Sequence, residues 1–143
     1  MKTTTLTEPR TADIKALVEK QRSYFATGAT KDIKFRKEML KKLKHAISNN
    51  EAAIADALHK DLRKHEFEAY ATEIGFVLVD LKKAINNIEK WAKPRTVPTP
   101  LFHFNGRSYV QPEPRGITLI VSPWNYPFQL LFAPLVGNIA AGN

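Results

Sequence analysis

Apolar residues recur every three or four positions through most of the first ninety residues, and after that they do not. Ile14, Leu17, Val18, Gln21, Tyr24 and Phe25 stand at helical spacing, and Thr27-Gly28 closes the segment as a C-terminal glycine does. Asp32 precedes a second predicted helix whose inward face is Met39, Leu40, Leu43 and Ile47. Asn49-Asn50 interrupt it, and Glu51 suits the N-terminus of a short third helix carrying Ile54, Leu58 and Leu62. The longest pattern comes next: Tyr70, Ile74, Val77, Leu78, Leu81, Ile85, Ile88 and Trp91 step by three or four, which predicts one extended amphipathic helix.

Beyond residue 93 the pattern changes. Three prolines in 93-KPRTVPTPLF-102 forbid helix and favour an extended linker. The stretch 107-RSYVQPEP-114 alternates apolar and polar residues as an edge strand does, with Pro112 and Pro114 limiting its pairing. Gly116 then opens 117-ITLIVS-122, almost continuously apolar and β-branched, the pattern of a strand buried on both faces of a parallel sheet. Pro127 is suited to the first position of a last helix, which can run to Ala141 and stop at Gly142-Asn143. That helix's face of Leu130, Leu131, Leu135, Val136 and Ile139 has no evident partner except the long helix before residue 92. A buried parallel strand also needs neighbours on both sides. The expectation is therefore an incomplete βα system: a truncated product or a fragment of something larger.

Composition sharpens the division. Residues 94 to 143 hold Arg95, Arg107 and Arg115, one acid, Glu113, and neither lysine nor aspartate, whereas the preceding part is densely charged with a single proline. The organisation expected is a helical part over 1–92, a proline-rich linker and strand over 93–115, and the first βα unit over 116–143. With 22 Lys+Arg against 14 Asp+Glu the net charge is +8, which would suit nucleic acid or an acidic protein. Yet the basic residues of 31-KDIKFRKEMLKKLKH-45 alternate with acids and helix-spaced apolar positions, the pattern of a solvated helix face, and no nucleic-acid motif accompanies them. With no cysteine, the chain has no disulfide, thiolate zinc site or cysteine nucleophile of its own. The first ten residues lack the apolar core of a secretory leader, so a cytoplasmic location is expected, and no apolar run is long enough for a membrane segment.

Ligands of open parallel sheets gather where strands end and helices begin, and Ser122-Pro123-Trp124-Asn125-Tyr126 occupies that place. The segment has no G-x-G-x-x-G, and its bulky Pro123 and Trp124 would keep a pyrophosphate off the backbone, so the phosphates of any dinucleotide should be held elsewhere. Asn125 offers two amide donors and no charge, which suits stabilisation of an oxyanion, but its spacing favours a cap on the helix beginning at Pro127. His45, His59, His65 and His103 form no ligand set, so no metal is expected, and no serine stands in a G-x-S-x-G context.

The run PRGITLIVSPWNYPFQLLFAPLVGNIAAGN resembles the start of the cofactor domain in the aldehyde dehydrogenase superfamily, whose members carry a strand, a W-N-[YF]-P turn and a helix ending in A-x-G-N. Upstream, 61-DLRKHEFEAYATEIGFVL-78 and 34-KFRKEMLKKL-43 resemble its class 3 branch, which acts on fatty and aromatic aldehydes. The resemblance implies an α/β fold, with a helical segment leading into a Rossmann-like parallel sheet. It also implies NAD or NADP as cofactor, an aldehyde as substrate, a homodimer, and oxidation to a carboxylic acid through a cysteine thioester. Carried over, Asn125 would be the oxyanion donor, Ser122, Pro123 and Trp124 would touch the cofactor, and Tyr126 would face the aldehyde pocket. The segment around 107–114 would belong to a sheet that bridges subunits, offering co-assembly with a full-length enzyme. The family's V-x-K-P-S-E lysine, G-S-T-x-x-G turn, general-base glutamate and nucleophilic cysteine are not in this chain, which is expected to be inactive alone. The competing reading is a basic helical module that binds nucleic acid or an acidic protein.

Overall fold

Leu40, Ile74, Val77 and Leu81 are wholly enclosed, and they lie where three helices converge. The structure is a computed structural model that describes residues 11–143, so the expectation about a leader peptide lies outside the described residues. Helix α1 spans Thr11–Ala26 and α2 spans Ile33–Asn49, with the Asp32 carboxylate accepting from Lys34 N at 2.9 Å as an N-cap. Helix α3, Glu51–Leu62, follows the break at Asn50 and ends at Arg63, whose φ of 58° turns the chain into the left-handed region. The faces predicted for α2 and α3 are inward, with Leu40, Ile47 and Leu58 buried and Leu43 and Ile54 packed against them.

The long amphipathic element starts earlier than its apolar stripe. A His65 ring nitrogen accepts from Phe67 N, α4 spans Glu66–Ala69, a π-helical turn spans Tyr70–Ile74, and α5 continues through Gly75–Trp91. Ile74, Val77, Leu81, Ala84 and Ile88 are buried, whereas Tyr70 and Trp91, at the ends of the predicted stripe, stay exposed. Gly75 packs closely where the wide turn closes: a Cβ there would sit 3.0 Å from the Tyr70 carbonyl oxygen and 3.2 Å from its ring.

The linker contains a strand that its prolines hid. β1, Arg95–Val97, pairs antiparallel with β2, Ser108–Val110, Thr96 standing opposite Tyr109. Pro94 and Pro98 bracket β1, and because a proline donates no ladder hydrogen bond the ribbon is three residues long on each side.

The last helix, α6, spans Pro127–Ala141 and finds the partners its sequence left open. Phe128, Phe132, Val136, Ile139 and Ala140 lie on α2 and α5, with the rings of Phe128 and Phe132 4.4 Å apart. Leu131, expected on that face, is exposed instead. The stretch 117–122, expected to be enclosed on both faces, makes no strand ladder among the described residues. Ile117, Thr118 and Ile120 line a groove with Leu17, Tyr24 and Phe25 of α1 and Leu135 and Ile139 of α6, while Leu119 and Val121 are 88% and 83% exposed. A ladder requires a second strand, and none of the described residues provides one here. Among the described residues no helix is long and apolar enough to cross a membrane.

Candidate functional site

The turn 122–126 joins the extended stretch to α6, and side chains from three other elements hold it. The first four amides of any helix lack intrahelical partners. At α6, Pro127 has none to offer, and the next two are bound by a distant carboxylate: Glu73 Oε2 accepts from Phe128 N at 2.8 Å and from Gln129 N at 3.2 Å. Glu73 is fully buried, inside the π-helical turn. Its negative charge lies at the positive end of the helix dipole, where it is stabilised.

The other oxygen of Glu73 meets Lys64, which is 8% exposed: Nζ donates to Oε1 at 2.5 Å. The same ammonium donates to the Asn125 carbonyl oxygen at 3.2 Å and stands 3.9 Å from the centroid of the Tyr126 ring. Lys64 is in turn fixed by its own backbone, since its carbonyl lies 3.0 Å from His59 Nδ1. Removing either partner of such a pair leaves a bare buried charge and typically costs about 3–5 kcal/mol.

Asn125 does not cap α6: Tyr126 occupies the cap position without a side-chain bond, and Glu73 does the capping from across the fold. The local reading failed because the competing acceptor lies 52 residues upstream of Asn125. Asn125 is exposed, its backbone carbonyl is tied to Lys64, and its side-chain amide has no hydrogen-bond partner among the described residues. Trp124 is 69% exposed with its indole Nε1 donating to Asp61 Oδ2 at 3.0 Å, which anchors the edge of the ring and leaves its face open. Ser122 and Tyr126 are half-buried and Pro123 is exposed. The turn thus presents two free amide N–H donors and an aromatic face, on a backbone held by a buried ion pair.

The far end of α6 is held as firmly. Arg36, buried, donates to Thr30 O at 2.6 Å, Lys31 O at 2.7 Å and Ala140 O at 3.3 Å. Burial pushes its pKa down and the Asp32 charge opposes the shift; the guanidinium stays cationic. Asn143 Oδ1 accepts from Arg115 N at 2.7 Å and Gly116 N at 3.2 Å, tying the end of α6 to the start of the extended stretch.

Lys64, Glu73 and Arg36, whose side chains hold the turn and the two ends of α6, were not singled out by sequence reasoning. One signal was present: Glu73 is three residues after Tyr70 and four before Val77, so an acid falls in the phase of the apolar stripe. Histidine placement is local, with His45 on Asn49, His59 on Lys64 and His65 capping α4. Among the described residues no group of His, Cys, Asp and Glu could hold a metal ion.

Comparison with known proteins agrees across sequence and structure. Residues 2–143 match the Aldehyde dehydrogenase family. The 4,4'-diaponeurosporen-aldehyde dehydrogenase of Staphylococcus aureus (strain NCTC 8325 / PS 47) is 52% identical over 122 residues, 85% of this chain and 27% of that protein. Aldehyde dehydrogenase family 3 comG of Dictyostelium discoideum is 40% identical, the match covering 93% of this chain and 28% of that protein. A solved structure, the substrate-bound state of Staphylococcus aureus AldH, superposes with a TM-score of 0.89 at 50% identity over 91% of this chain and 28% of that one. The chain thus spans little more than a quarter of the length of these relatives.

Proposed function

The chain belongs to the aldehyde dehydrogenase family, and from that premise we propose that its turn 122–126 supplies the oxyanion donor and part of the cofactor surface for NAD(P)-dependent oxidation of an aldehyde to a carboxylic acid. The observation that carries this reading is the side-chain amide of Asn125, exposed and without a partner among the described residues, on a turn whose backbone is pinned on both sides.

A thiolate supplied from outside these residues adds to the aldehyde carbon, and the carbonyl electron pair moves onto oxygen. The Asn125 amide donates N–H bonds to that oxyanion, stabilising charge that develops in the transition state, and it has no acidic proton with which to quench it. The chain has no cysteine, so this step needs a nucleophile from elsewhere. Tyr126, its ring face against Lys64, borders the space for the aldehyde's substituent.

The residues suit a dinucleotide as a contact surface rather than a phosphate cradle. The amides of Phe128 and Gln129 are already taken by Glu73, so the N-terminus of α6 is closed to a pyrophosphate. Trp124 offers an open ring face, and Ser122 and Pro123 offer backbone at its side. NAD or NADP, when bound, accepts the hydride from the aldehyde carbon. The complete enzyme would be cytoplasmic and a homodimer in which the region of β2 bridges subunits. The chain would divide into a helical part over 1–92, a linker and bridging strand over 93–115, and the first βα unit over 116–143.

The test is a spliced enzyme, in which this chain replaces the segment it matches in the Staphylococcus aureus relative. Asn125→Ala in that enzyme should lower kcat about 100- to 1,000-fold. Full activity of the variant would refute the role assigned to Asn125.

A further inference from the structure

We infer that Lys64 and Glu73 are positioning residues for the reaction: the buried pair aims Asn125, and the rate of the site depends on two charges that touch no substrate. The inference rests on the reading of Asn125 as oxyanion donor.

A buried ion pair is a poor device for stability alone. Its desolvation takes back much of the Coulombic gain, and well-packed apolar residues of similar volume often serve as well or better. The pair must be weighed by where its hydrogen bonds go, and apart from the bond within the pair they converge on one short stretch of backbone. Glu73 Oε2 takes the amides of Phe128 and Gln129, just after the turn, and Lys64 takes the carbonyl of Asn125, within it. Lys64 also lies on the ring of Tyr126, the residue between. Four features of 125–129 are thus referred to one point, which is 0% exposed on the Glu73 side.

The consequence for Asn125 is geometric. Fixing its carbonyl fixes the peptide plane after it and, with the helix start held as well, the direction of its Cα–Cβ bond. The amide reaches outward with no side-chain partner of its own among the described residues, so the backbone sets its aim. An interaction realised only in the transition state is sensitive to such aim, and a misplacement of about 1 Å can cost on the order of a hundred-fold in rate. The support reaches back to the π-helical turn, where the widened helix turns Glu73 and Ile74 inward side by side. Such turns occur often at functional sites.

A residue that only props up the fold would lower activity whatever occupies position 125, whereas a positioning residue would act through Asn125. The double-mutant cycle separates the two. In the spliced enzyme described above, Glu73→Gln and Lys64→Met should each lower kcat about ten- to a hundred-fold, with KM for the aldehyde changed less than about threefold. In the Asn125→Ala background the same substitutions should cost less than about threefold. If either variant fails to fold, Lys64→Arg, which keeps the charge and the donors, takes its place, and a smaller loss that likewise vanishes beside Asn125→Ala is expected. An unchanged kcat, or a loss equally large with and without Asn125, would overturn the inference. A folded but inactive parent splice would instead sink the reading of Asn125, and this inference with it.

Discussion

Gly142 lies against Arg36 with no room for a side chain: a β-carbon built on Gly142 would fall 2.6 Å from Arg36 Cζ and 2.7 Å from its Nε. A guanidinium is usually mobile enough to yield. This one is held by the carbonyls of Thr30, Lys31 and Ala140, so it cannot withdraw without abandoning them. Gly142 also sits at φ 87°, a conformation that costs a residue with a β-carbon about 1–2 kcal/mol on its own.

Gly142→Ala is therefore expected to destabilise the chain by about 2–4 kcal/mol, the strain adding to one or more lost hydrogen bonds. Urea unfolding followed by circular dichroism measures it, and a loss below the noise of the midpoint would show that Arg36 can move aside freely.

Asn143→Ala removes the acceptor of the Arg115 and Gly116 amides, which then have no partner of comparable geometry. The expected cost is about 1–2 kcal/mol, together with faster hydrogen exchange at those two amides. Unaltered protection at both positions would count against the tie.

Leu81 and Leu119 should respond in opposite ways. Leu81 is fully enclosed, and Leu81→Ala should cost about 2–5 kcal/mol. Leu119 is 88% exposed, and Leu119→Ser should change the stability of this chain by less than about 0.5 kcal/mol. Equal losses in the two variants would place Leu119 in a core.

Lys37 Nζ reaches Glu89 at 2.7 Å and ties α2 to α5 at the surface. The hydrogen bond from Lys37, and then its charge, hold the Glu89 pKa below its ordinary value of 4.5. Folding thus favours the ionised carboxyl: the contribution is complete above the ordinary value and is lost as pH falls through the lower folded-state value. Lys37→Met should lower stability slightly at neutral pH, less so in high salt, and not at all in strong acid. A difference that persisted unchanged at low pH would contradict the assignment.

What could be read in the sequence was what repeats locally. The stripe through Ile74, Val77, Leu81 and Ile88 announced a buried helix face, and Leu40 and Ile47 did the same for α2. Asn125 was legible as a candidate because its neighbours Trp124 and Tyr126 made the turn distinctive. The supports of the site were not legible. Glu73 acts on residues 55 and 56 positions away, Lys64 on one 61 away and Arg36 on one 104 away, and no periodicity reports contacts of that range. The stretch 117–122 makes no ladder among the described residues, as an incomplete βα unit implies, because an apolar sequence records what a strand prefers while the strand to pair with it is not among them.

The five residues Tyr70–Ile74 have one more consequence, for how this stretch can vary. Each residue of an α-helix advances the side chains by about 100°. The wide turn absorbs a surplus residue, so the side chains of Glu66–Ala69 before it are set out of simple helical phase with those of Gly75–Trp91 after it. Deleting one residue there would rotate Glu73 away from the start of α6 if Leu81 and Ile88 kept their seats. A length change at this point would thus act on the turn 122–126 without altering a single residue of it.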